Sequence, residues 1–181
     1  AGRFSAERRP DLVLEALAVL KRRGAIDTDV KLRLIGKEEE SVISIAKRLG
    51  ISEMVEHVSP KPYDQTMREI KKATVLFIVD AVQEETRGYP SSLIFFPSKF
   101  VDYVQTGRPI LAVAPKGGPV DEVLSTRGGG LAADNTSLES VIEAIKTLYG
   151  SWQSRELDRQ YGSSHLMNLY DEQAVLSEYE N

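Results

Sequence analysis

Apolar positions along the chain recur at two alternating periods. Leu12, Val13, Ala16, Leu17 and Leu20 fall at three- and four-residue spacing over residues 10–23, with Pro10 suited to a first turn, Asp11 near the positive end of the helix dipole and Gly24 at the stop. This predicts a helix. Residues 30–36 change to strict alternation, with Val30, Leu32 and Leu34 apolar against Lys31 and Arg33, and read as a strand ending on Gly36. Helical spacing returns over residues 38–49 through Val42, Ile45, Ala46 and Leu49, and closes on Gly50. Residues 55–58 predict a short strand and 64–73 an amphipathic helix capped by Asp64. Residues 75–79 are an unbroken β-branched and aromatic run, the pattern of a strand buried on both faces. A helix over 98–106 ahead of Gly107, an apolar strand over 110–114, a Gly117-Gly118 turn, a helix over 119–125, a glycine triplet at Gly128 to Gly130, a strand over 131–133 and a helix over 137–149 continue the series.

Strand and helix alternating in this way specify an α/β, Rossmann-like domain, because right-handed crossovers leave a mainly parallel sheet with helices on both faces as the compact solution. Residues 1–150 are read as that domain, its first strand missing ahead of the loop that opens the chain. Residues 151–181, polar and aromatic with two weak helical patterns, are read as C-terminal helices packing outside the sheet. The chain opens abruptly at Ala1-Gly2-Arg3-Phe4 with a helical pattern close behind, which gives the expectation of a piece cut from something longer. No run approaches the roughly 18 to 20 apolar residues of a membrane span.

Composition narrows the class. A chain of 181 residues fits one medium domain, and a domain of this size buries ~70% of its unfolded surface. Its 41% apolar and 28% charged content, with 8 Pro and 13 Gly, excludes a disordered tail, a collagen or a coiled coil. The formal net charge of −4 leaves no excess of cations for a polyanion, so nucleic acid is not an expected partner. The absence of cysteine removes disulfides, thiolate catalysis and Cys-based metal sites, and His57 and His165 alone cannot build a histidine-rich one.

In open parallel sheets, ligands sit beyond the carboxyl ends of the strands, where loops enter helix N-termini. Neither Gly-x-Gly-x-x-Gly nor Gly-x-x-x-x-Gly-Lys-Ser/Thr follows any strand, so the usual dinucleotide and P-loop fingerprints are missing. The candidate in their place is Phe96-Pro97-Ser98-Lys99-Phe100-Val101-Asp102-Tyr103. There Ser98 can cap a helix, Lys99 adds a positive charge near its start, and Asp102 follows one turn, ~5.4 Å, further on. That spacing suits a phosphate on Lys99 and a vicinal diol on the Asp102 carboxylate; an ordinary surface pair of Lys99 with Asp102 is the alternative. Arg3, Arg8 and Arg9 form a second cationic group that either clamps a diphosphate or decorates a solvated turn. Gly117-Gly118 could present backbone N–H groups to an anion, or simply turn the chain before Pro119. His57 and His165 are read as structural.

The order of Gly2-Arg3-Phe4-Ser5-Ala6-Glu7-Arg8, the strand ending at Gly36, the segment from Val55 to Pro60, and Pro97-Ser98-Lys99 through Asp102-Tyr103 to Gly107-Arg108-Pro109-Ile110 resembles the C-terminal domain of GT-B glycosyltransferases, most like family 4. The resemblance covers roughly residues 2 to 150. It implies that Arg3 and Arg8 bind the donor diphosphate, with Arg9 as a register alternative, that Asp102 binds the ribose, and that the segment around Pro60 runs beside the nucleobase through its backbone. Ser98 and Lys99 are implied to lie against the phosphates. The chain departs from the family's paired-acid motif, whose first acid falls at Ile94, with Glu84 and Glu85 as nearby acids.

What the resemblance implies for function is the donor-binding half of a retaining glycosyltransferase that uses a nucleoside diphosphate sugar, in polysaccharide biosynthesis. It needs no metal or other cofactor in this half, because the cationic groups neutralise the leaving diphosphate. The partner it implies is an N-terminal acceptor-binding domain of the same protein, without which the isolated chain is inactive. The expected location is cytoplasmic or peripheral at the inner membrane face. The alternatives are a non-catalytic nucleotide-binding module and half of a sugar-nucleotide epimerase.

Overall fold

A computed structural model describes residues 9–37, 40–80 and 97–170. In chain order these form α1 (Asp11–Arg22), β1 (Leu32–Ile35), α2 (Glu40–Arg48), a 3-10 turn (Ser52–Met54), β2 (Val55–Val58), α3 (Tyr63–Ile70), β3 (Leu76–Val79), α4 (Ser98–Val104), β4 (Ile110–Ala114), α5 (Pro119–Arg127), β5 (Gly130–Asp134), α6 (Leu138–Gln153), α7 (Leu157–Tyr161) and a 3-10 segment (Ser164–Leu169). The alternating pattern of the sequence is realised as a Rossmann-like α/β arrangement with every described strand pairing parallel.

The strands form two hydrogen-bonded groups, β1-β2 and β3-β4-β5. Both groups feed the same two layers, because successive residues of a strand point to opposite faces. Leu32 and Leu34 of β1, Phe77 and Val79 of β3, Leu111 and Val113 of β4 and Ala133 of β5 pack into one core with α1, α2 and α6. Ile35, Leu76, Ile78, Ile110, Ala112 and Ala114 pack into the other, with α3, α4 and α5. β1, on the side away from β2, and β3, on the side away from β4, each leave an edge with no strand paired to it among the described residues. On β1 the Gly36 N–H points to Val58 of β2, and on β3 the Leu76 and Asp80 N–H groups point toward β4. By alternation the N–H groups of Arg33, Ile35, Phe77 and Val79 therefore point out of the two free edges.

α1 forms because its apolar stripe buries Val13, Leu14, Ala16, Leu17, Ala18 and Leu20, each large side chain contributing about 1.5–3 kcal/mol. It ends at Gly24, whose φ of 61° stops the helix. The cap expected from Asp64 is not made: α3 starts one residue earlier, behind Pro62, and has no side-chain cap. Asp64 instead sits in the first turn and pairs with Arg68 one turn on. Ser137 does cap α6, accepting from the Ser140 N–H at 3.2 Å.

The segment after α6 reaches inward. Leu166 is fully buried in the layer of α4 and α5, and buried Ser163 bonds the loop before β4, donating its N–H to Gly107 (3.1 Å) and its hydroxyl to Arg108 (2.8 Å).

Candidate functional site

Within each group the parallel strands bring their carboxyl ends to one side, which collects Gly36 and the Ser59–Pro60 segment in β1-β2, and Asp80, the loop from Pro115 to Gly118 and Asn135 in β3-β4-β5. Only four residues separate β2 from α3, so α3 has its first turn near the carboxyl end of β2. Its first residue, Tyr63, is 67% exposed and donates its hydroxyl to Oδ1 of Asp102 at 2.9 Å. This hydrogen bond between α3 and α4 joins two sequence-predicted pieces: the exposed Pro60 turn on one side and the Lys99–Asp102 helix on the other.

Within α4, Ser98 and Lys99 are exposed and Asp102 is half-buried. The cap expected from Ser98 is not made. Pro97, with φ −66° and ψ 122°, is the N-cap, so Ser98 is already the first helical residue and its hydroxyl bonds none of the free N–H groups. The alternative of a Lys99–Asp102 surface pair does not form either. Asp102 is engaged by Tyr63, and among the described residues Lys99 has no acidic partner. The Asp102 carboxylate raises the pKa of Tyr63 above its ordinary value, first through the hydrogen bond and then through its charge. The neighbouring Tyr103, 3% exposed, is pushed up to about 12, mainly by burial and then by Asp102.

The other candidates separate. Arg3, Arg8, Glu84, Glu85 and Ile94 lie outside the described residues. Arg9 turns its Nε to both carboxylate oxygens of Asp11, at 3.2 and 3.1 Å. The Gly117 N–H is taken by Asp121 Oδ2 at 2.7 Å and the Gly118 N–H by the Pro115 carbonyl at 3.0 Å, so that turn offers neither donor to a ligand. His57 bonds the Gly36 carbonyl and His165 the Arg127 carbonyl, both at 2.7 Å, in keeping with structural roles.

Two features went unread in the sequence. Asp80 is 4% exposed at the end of β3, and its carbonyl accepts from the buried Asn135 side chain at 3.4 Å. An acid closing an apolar strand was the available signal. Tyr63 had none, because its partner lies 39 residues away.

The family model described as "Glycosyl transferases group 1" matches residues 1–164. The chain belongs to this family. Among solved structures it is similar to Anabaena HepE in complex with UDP and glucose, with a TM-score of 0.67 at 14% identity over 99% of this chain and 48% of that one. It is also similar to WaaG, a glycosyltransferase involved in lipopolysaccharide biosynthesis, with a TM-score of 0.65 at 16% identity over 99% and 44% of the two chains. Sucrose-phosphate synthase from Thermosynechococcus elongatus gives a TM-score of 0.72 at 13% identity over 99% and 42%. The fold is that of a Rossmann-like domain of GT-B glycosyltransferases, and the chain spans less than half the length of these three proteins. Among curated proteins no sequence matches significantly. No described helix is long and apolar enough to cross a membrane.

Proposed function

We propose that this chain is the donor-binding half of a glycosyltransferase that holds a nucleoside diphosphate sugar at the carboxyl edge of its sheet and transfers the sugar with retention. Support comes from one observation above all: the Tyr63–Asp102 hydrogen bond ties α4, which carries Lys99 and Asp102, to the start of the helix that follows Pro60, in a chain of the glycosyl transferases group 1 family. The Asp102 carboxylate accepts the ribose diol, and the Lys99 ammonium, which has no acidic partner among the described residues, meets the phosphates, with Arg3 and Arg8 completing the clamp. These cations take up the charge of the leaving diphosphate without a metal in this half. The acceptor is held by a second domain that closes over this edge, since transfer needs the acceptor oxygen within ~3.5 Å of the anomeric carbon.

Calorimetric titration with UDP, GDP and ADP against UMP, GMP and AMP tests this reading. At least one diphosphate is expected to bind about tenfold or more tighter than its monophosphate, because charge-assisted bonds to the second phosphate are lost in the latter. Equal affinities across every pair would remove the diphosphate clamp.

A further inference from the structure

Asp102 reaches its proposed ligand through a side chain that is not anchored by its own helix. A carboxylate rotates freely about its last torsion, which has a broad minimum rather than staggered wells. To accept two hydroxyls of a diol at once it must be held in one orientation. α4 supplies no such restraint among the described residues: Lys99 leaves Asp102 alone, and the one contact made to the carboxylate comes from Tyr63 on α3.

Tyr63 is placed for that work and for little else. It stands 67% exposed, so burial of its ring does not account for its position. Its backbone is the first residue of a helix, where Pro62 fixes the entry of the chain. α3 in turn is tied to the sheet through Ile70 in the core and through Glu69, which accepts from Arg33 of β1 at 2.9 Å. A donor mounted on that base, 2.9 Å from Oδ1, fixes one oxygen of Asp102. An ionised carboxylate has about four lone-pair sites, so roughly three remain for a ligand, including both on Oδ2.

We propose that Tyr63 is a positioning residue of the donor site, whose hydroxyl orients the Asp102 carboxylate to receive the vicinal diol of the nucleoside. This deepens, and rests on, the donor-site reading given above. Tyr63 does not touch the diol; it acts through Asp102 alone. Its removal therefore weakens only ligands that carry a diol, and only while Asp102 can accept from it.

The test uses the chain itself, with Tyr63→Phe, Asp102→Asn and the double variant. Calorimetry is run on whichever of UDP, GDP or ADP binds, and on its 2′,3′-dideoxy counterpart, with thermal unfolding alongside. Tyr63 and Asp102 both lie away from the fully buried core, so all three variants are expected to fold. Tyr63→Phe should weaken the ribonucleotide roughly three- to tenfold, the size of one ordinary net hydrogen bond and less than the full bond to a charged group because Tyr63 acts only through Asp102, and leave the dideoxynucleotide unchanged. The double variant should bind like Asp102→Asn. Tyr63→Phe with unchanged ribonucleotide affinity, with equal losses on both ligands, or with a loss that adds to that of Asp102→Asn, would overturn the positioning role while leaving the donor site standing. Parent chain that binds none of the three diphosphates, or that binds the ribo and dideoxy forms alike with Asp102→Asn silent, would overturn the donor-site reading and the inference with it.

Discussion

At Gly130 a single methyl group would meet the backbone of the neighbouring strand. A Cβ built there lies 1.8 Å from the Ile110 carbonyl oxygen, and the φ of 155° is one that side-chain-bearing residues rarely adopt. Backbone cannot move aside as the end of a side chain can, so the parallel pairing of β4 with β5 depends on this glycine. Gly150, inside α6, has nothing within 4 Å of the same position. The two glycines should respond with opposite sign. Gly130→Ala is expected to cost at least about 3 kcal/mol, a fall in Tm on the order of 6 °C or more for a chain of this size. Gly150→Ala should gain up to about 1 kcal/mol, because alanine is the better helix former and nothing obstructs it. Thermal unfolding of the two variants beside the parent reads both, and a Gly130→Ala chain as stable as the parent would mean that β5 is not held against β4 in this register.

α3 shows how an element with a thin apolar anchor is oriented by charge. Only Ile70 of its eight residues is fully buried. Glu69, one position earlier, accepts from Lys72 at 3.0 Å and from Arg33 of β1 at 2.9 Å, with Lys61 at 3.7 Å. The bond from Lys72 outweighs burial, the next-largest influence and one that raises it, and together with the charges of Lys72, Lys61 and Arg33 holds its carboxyl below the ordinary value of 4.5. A carboxyl lowered in the folded state stabilises the fold above its unfolded pKa, and that stability is lost as pH falls through the lowered folded value. Tm measured from pH 7 down to pH 3 should therefore fall less steeply below about pH 4.5 in Glu69→Gln than in the parent, the two curves converging at the acid end. Parallel curves would show that the cations around Glu69 do not hold α3. Because α3 carries Tyr63, the same substitution bears on the candidate site from a distance.

On the scale of the whole molecule, β1 and β3 each keep one edge with no strand paired to it among the described residues. The two groups of strands share both cores, yet by alternation Arg33, Ile35, Phe77 and Val79 aim their N–H groups away from β2 and β4. Buried backbone donors are almost always paired, and the familiar order of doubly wound sheets, 3-2-1-4-5-6, has its first strand at this place, leading into a helix where α1 stands. A parallel strand in that place would lie ~4.8 Å from each of its neighbours and accept from these four N–H groups. In the complete protein, hydrogen exchange at these four amides is expected to be as slow as at Leu34 and Ile78, whose N–H groups point to the established partners. Fast exchange at all four would leave β1 and β3 as separate edges and would count against the donor-half proposal.

Periodicity by itself determined the elements and their class. β2 and β4 run over the residues that alternation and apolar continuity predicted, and α1 lies within a residue of its predicted ends, because burial of a stripe or a face imposes its period directly on the residue types. Ends set by competing local bonds were less legible. Ser98 and Asp64 have the chemistry of caps, but the prolines before them start each helix a residue or two earlier than a capping side chain would require. The candidate site was readable as residue types and not as an arrangement: Pro60, Lys99 and Asp102 could be named in order, whereas the bond from Tyr63 to Asp102 depends on α3 and α4 lying close together. That proximity comes from the packing of Ile70, Phe100 and Tyr103 into one core. A hydrogen bond between residues 63 and 102 leaves no periodic trace in the chain, so only the tertiary structure could decide it.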